Sequence, residues 1–148
     1  VAVDATCAVN VSKLSAAIGV SRATVMNYLS YMRNARLLTL LYEEGNDDES
    51  GRKPKKMYMH NPNLLNAVCL DDTDPEVVRK SFFLSQLCPI YSMNYTEQAD
   101  FLVEGRYPVT VCRGGRGGKA EAPVVRMEDM IERGRGNVVP LWLAGFVY

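Results

Sequence analysis

From Val11 to Leu41 the chain is strongly periodic. Leu14, Ala17 and Ile18 recur at helical spacing and stop at Gly19, a residue that closes a helix because it tolerates positive φ. Ser21 then offers a side-chain oxygen to the free amides of a second helix, whose apolar face is Val25, Tyr28, Leu29 and Met32 and which runs to about Ala35. Leu14, Ile18, Val20, Val25 and Tyr28 supply the packing around this turn, and Ser15 is the small residue facing the second helix. The run Leu37 to Tyr42 is short, apolar and followed by turn residues, which predicts a strand. Residues 43–53 make a polar loop and Lys55 to His60 returns as the partner strand. Helix, turn, helix, hairpin is the order of a winged helix-turn-helix.

After Asn61-Pro62-Asn63 the pattern predicts one short helix around Leu64 to Val68. Asp74 followed by Pro75 is an N-cap with proline at the first helical position. Val77, Val78, Phe82, Leu84 and Leu87 carry that helix up to Pro89. Beyond it the pattern turns to strands, around Met93 to Tyr95, Ala99 to Val103 and, after the turn Glu104-Gly105-Arg106, Tyr107 to Cys112. A glycine-rich loop from Arg113 to Lys119 interrupts, Val124 to Met127 resumes the sheet, and Pro140 to Tyr148 closes the chain as an apolar segment. The expected fold class is α+β, with a winged helix-turn-helix over 1–66 and a small mixed α/β domain over 67–148.

Composition narrows this reading little. The 148 residues are 47% apolar, with Lys+Arg 17 balancing Asp+Glu 17, as in an ordinary globular protein. No apolar run approaches the ~20 residues that a bilayer span needs, so no membrane partner is expected. Cys7, Cys69, Cys88 and Cys112 lie far apart without a CxxC pair, which predicts reduced thiols and a cytoplasmic protein. The chain starts at Val1 with neither Met nor a signal-peptide pattern, which predicts a fragment of a longer protein. Charge is more telling, because residues 1–66 hold 8 Lys/Arg against 6 Asp/Glu and residues 67–148 hold 9 against 11. The sharpest basic cluster, Arg52-Lys53-Pro54-Lys55-Lys56, follows an acidic stretch that includes Asp47-Asp48-Glu49.

Candidate chemistry falls mainly on the first half. The polar positions of the second helix, Arg22, Thr24, Asn27 and Tyr31, are of types that hydrogen-bond to base edges or phosphates. Arg52, Lys53, Lys55 and Lys56 would sit at the wing, where cations meet phosphates and release counterions. Double-stranded DNA is the partner these positions suggest. Winged helices also serve as protein-docking modules with a solvated polar face, and the residue types leave both readings open.

In the second half, Arg113-Gly114-Gly115-Arg116-Gly117-Gly118-Lys119 fails as a Walker A loop, because Arg113 and Ala120 stand where Gly and Ser or Thr are required. It also fails as a dinucleotide fingerprint, since Glu121-Ala122-Pro123 does not open a helix. A mobile loop between strands is the reading adopted, although its two Arg-Gly-Gly units are similar to nucleic-acid-binding segments. His60 is the only histidine and has no second imidazole to support a metal site. Asp100 is the one well-placed carboxylate for magnesium, and one is too few. No catalytic or metal residue is assigned.

The stretch Ser21 to Leu29 with Ala35-Arg36-Leu37-Leu38, then Lys56 to Leu64, resembles the C-terminal half of bacterial and archaeal AAA-type P-loop ATPases. Val77 to Leu87, Ala99 to Val103 and Gly136 to Tyr148 extend the resemblance over nearly the whole chain. It implies an N-terminal ATPase domain outside this sequence, with ATP and magnesium as that domain's cofactors. It also implies a winged helix followed by a domain of unknown function with a restriction-endonuclease-like fold. In such a fold the helix and two strands supply acids to a metal. Asp100 matches the strand acid, but Lys80 stands where relatives carry Glu, and Cys112 and Gly114 stand where Glu and Lys are expected. The implied role is therefore a non-catalytic recognition module that serves DNA, a protein partner or its own ATPase domain. A metal-dependent nuclease centred on Asp100 is the competing reading.

Overall fold

In the computed structural model, residues 8–45, 52–69, 73–115 and 123–147 are described. Helix α1 (Val11–Ile18) starts where Asn10 accepts from the Lys13 amide, and ends at Gly19, whose φ of 75° lets its own amide reach back to the Ser15 carbonyl. The Ser15 hydroxyl in turn donates to the Val20 carbonyl, which fixes the turn into α2 (Arg22–Asn34). Ser21 caps α2 by accepting from the Thr24 amide at 3.1 Å.

Strands β1 (Leu38–Leu41) and β2 (Lys56–Met59) pair antiparallel as a two-stranded sheet. Helix α3 (Pro62–Cys69) follows β2 directly and includes position 66, the expected division of the chain. Helix α4 (Pro75–Leu87) then opens with Asp74 accepting from the Glu76 amide and with proline in its first turn.

The remaining strands form one mixed sheet in the order β3 (Met93–Asn94), β4 (Phe101–Val103), β5 (Tyr107–Arg113), β6 (Val125–Asp129), β7 (Val138–Pro140). The first three strands are antiparallel, joined at β4 and β5 by the turn at Glu104 and Gly105, both at positive φ. β6 and β7 then add in parallel. A 3₁₀ helix (Leu141–Phe146) ends the described chain and packs Leu141 and Ala144 into the core.

Two apolar clusters hold these elements. The smaller joins Val11, Val25, Leu29, Leu38, Leu40, Tyr42 and Met57. The larger is centred on α4 and the mixed sheet, and it also takes in Leu41 from β1, Tyr58 from β2 and Leu65 from α3. At its centre the fully buried Phe101 ring stacks on Phe83 at 5.3 Å and meets the edge of Tyr58 at 5.7 Å. Alternation along β5 sends Val109 and Val111 into this core, and Cys112 to the opposite face of the sheet.

Every local element predicted from the sequence is present, with ends shifted by one to a few residues. β7 and the parallel pairing of the last three strands were not anticipated. The acidic stretch 47–49 and the glycine-rich loop beyond Gly115 lie outside the described residues, as does Cys7.

Candidate functional site

On α2, Thr24, Asn27 and Tyr31 recur at spacings of three and four and share one side of the helix, with Asn27 and Tyr31 exposed. The Thr24 side chain is tied locally, 2.8 Å from the Ser21 hydroxyl. Arg22 is exposed in the first turn but falls on a different side from that stripe at 3.6 residues per turn. The structure therefore groups three of the four helix candidates and sets the fourth apart.

Of the hairpin candidates, Arg52 and Lys53 are exposed, while Lys55 makes an ion pair with Glu43 at 2.8 Å. That hydrogen bond and the charge of Glu43 raise the Lys55 pKa above its ordinary value. The Lys55 and Lys56 ammonium groups also lie over the ring of Tyr95, at 5.9 and 5.6 Å from its centre. The basic end of the hairpin thus rests on the loop after β3, fixed further by the Tyr95 amide donating to the Tyr42 carbonyl. Lys55 and Lys56, expected as phosphate contacts, are thus engaged within the chain.

In the second half, Asp100 and Asp129 are each held by a cation of α4. Asp100 lies just before β4, and one of its oxygens accepts from the Val111 amide at 2.9 Å. Its other oxygen receives the Lys80 ammonium at 2.8 Å, and the same ammonium reaches Glu76 at 2.6 Å. Burial opposes the charge on Lys80, but its hydrogen bonds to Asp100 and Glu76, with their charges, outweigh that and leave its pKa raised. The adjacent Arg79 pairs with Asp129 at the end of β6, whose backbone carbonyl also accepts from the Gly114 amide.

On the opposite face of the sheet Arg126 pairs with the buried Glu128 at 2.7 Å and donates to the Cys112 sulfur. None of these pairs was anticipated, because their partners lie far apart in sequence or depend on strand register. The 3.6 spacing that sets Glu76 and Lys80 one turn apart is the one signal that was available.

These residues do not fit a divalent cation. An ion placed on Asp100 would meet the Lys80 ammonium, and Cys112 projects from the other face of the sheet. Among the described residues no group of three or more His, Cys, Asp or Glu comes together. The Lys80 ammonium, held charged between two carboxylates, is poorly suited to act as a base. Cys88 is equally inert, because burial pushes its thiol up to about 12. His60 accepts or shares a hydrogen bond with Thr39 at 3.1 Å on the hairpin.

Charge is distributed very differently before α4. From Val11 to Leu41 the sequence holds four Lys/Arg and no Asp or Glu, and from Lys56 to Cys69 it holds one Lys and no acid. α1, α2, the hairpin strands and α3 thus form a cationic unit beside a sheet in which Arg79, Lys80 and Arg126 are paired with carboxylates. Comparison with protein-family models, curated proteins and solved structures finds no match to the chain. Among the described residues no helix is long and apolar enough to cross a membrane.

Proposed function

We propose that α1, α2 and the β1–β2 hairpin act as a winged helix-turn-helix that binds double-stranded DNA, with α2 as the reading helix. The observation that carries this reading is the exposed stripe of Asn27 and Tyr31 on a helix framed by cations and free of carboxylates. Such a face draws the phosphate backbone and offers hydrogen-bonding groups to the groove. Lys53, Arg52 and Arg22 add backbone contacts, and Lys56 contributes at the base of the wing. The mixed sheet with α4 serves as a non-catalytic, restriction-endonuclease-like support. Its metal position is taken up by the Lys80 ammonium, in line with a recognition role beside an ATPase domain.

Fluorescence anisotropy with random duplex DNA tests this. The expected result is a micromolar Kd that rises roughly 10- to 100-fold between about 50 and about 200 mM salt, as release of about three counterions requires. Changing Lys53, Lys55 and Lys56 to Glu should abolish binding. Absence of binding even at low salt overturns the proposal. Magnesium-dependent cleavage of the duplex, lost in Asp100→Ala, would restore the nuclease reading.

A further inference from the structure

A groove of about 440 Å³ opens between α1, α2, the hairpin and α3, and its walls are almost wholly apolar. Ile18, Tyr28, Leu37 and Val68 stand on its lips between 41 and 56% exposed, over a floor that includes Met32 and Leu64. Four bulky side chains converging on one groove differ from the scattered apolar residues of an ordinary surface, and they mark an interaction site. A small ligand would call for a few placed polar groups in the walls, and the Tyr28 hydroxyl is the main one among the described residues.

Charge identifies the occupant. Lys13 precedes Leu14, Arg33 follows Met32 and Arg36 precedes Leu37, so each cation adjoins a groove residue in sequence. No carboxylate lies on the helices or strands that form the walls, apart from Glu76 beside Val77 at one end, and Glu76 is held by Lys80. We propose that this groove docks an amphipathic helix of a partner protein, with apolar residues spaced i, i+3, i+4 and i+7 facing in and acidic residues along its flanks. This surface is centred on the Val25, Leu29 and Met32 side of α2 and meets the Thr24, Asn27 and Tyr31 stripe only at Tyr28, one turn from Thr24 and Tyr31.

The probes are two fluorescein-labelled synthetic helical peptides with the same leucine spacing, one flanked by Glu and the other by Lys. Titrated with the whole chain, the Glu-flanked peptide should bind in the micromolar range and at least about tenfold more tightly than its Lys-flanked twin. Ile18→Gln with Val68→Gln, both at exposed positions, should weaken it at least about tenfold while the thermal melt and DNA affinity stay unchanged. Equal binding of the two peptides, no binding of either, or indifference to the double variant overturns the proposal. A chain that sediments as a dimer and is split by Val68→Glu would assign the groove to a second copy instead. Tighter peptide binding after deletion of residues 1–7 would assign it to the chain's own first residues.

Discussion

The unit before α4 and the unit built on α4 use charge in opposite ways. In the sheet unit, cations and carboxylates find each other across the fold: Lys80 bridges Asp100 and Glu76, Arg79 holds Asp129, and Arg126 holds Glu128. In the helical unit, cations line elements that hold no carboxylate at all, and the apolar side chains of a groove stay open to water. Pairing charges internally fixes a scaffold and leaves little for a ligand. Placing cations on elements that hold no carboxylate, beside apolar surface, does the reverse, which is why both proposed contacts fall before α4.

The strongest way to break this contrast is to ask whether the two units are separable. Phe101 touches both Phe83 and Tyr58, so Phe101→Ala should cost about 3–5 kcal/mol. It should lower amide-exchange protection in α2 together with that in β5. If the Val25 and Leu29 amides keep their protection while the sheet opens, the units fold independently and the shared core does not couple them.

A smaller effect sharpens the electrostatic half of the comparison. Asp100→Asn takes one carboxylate from a poorly exposed ammonium and should destabilise by about 1–3 kcal/mol in urea titration. The Lys80 pKa is raised in the folded chain, so its contribution is present below the ordinary lysine value of 10.5 and is lost as pH rises through the higher folded value. Asp100→Asn should therefore flatten the alkaline limb of the stability curve. Charge substitutions at Lys13 or Arg36 should leave that limb unmoved.

The smallest expected change concerns a buried polar group of α4. The Ser81 hydroxyl is fully buried in α4 with no hydrogen-bond partner among the described residues. Ser81→Ala should be neutral or stabilising by up to about 1 kcal/mol, read from the urea midpoint. A loss of more than that would reveal a partner for the hydroxyl.

What the sequence made legible follows from range. Helix ends set by Gly19, Ser21 and Asp74-Pro75 are decided within a few residues, and so is the turn at Glu104-Gly105, so periodicity and capping located these elements. The parallel register of β5, β6 and β7 links residues without a local turn, and β7 is only three residues long, too short to carry an alternation signal. The ion pairs depended on that register and were equally hidden. Periodicity showed that Tyr28 lies on an apolar face and that Val68 ends a short helix, but it does not say which faces find a partner. The groove could only be seen once α3 had been set against α1 and α2.

The mixed sheet has a consequence for the order in which the molecule is made. Leu141 and Ala144 belong to the same core as Val77 and Phe83, and β7 completes a sheet whose parallel pairs cannot zip from a hairpin. On a ribosome, α1, α2 and the hairpin emerge early and can fold from near neighbours, whereas α4 waits with an apolar face uncovered until position 144 has left the exit tunnel. During that interval Leu41, Tyr58 and Leu65 also lack part of the core they share with α4, and that is when the exposed strands most need a chaperone.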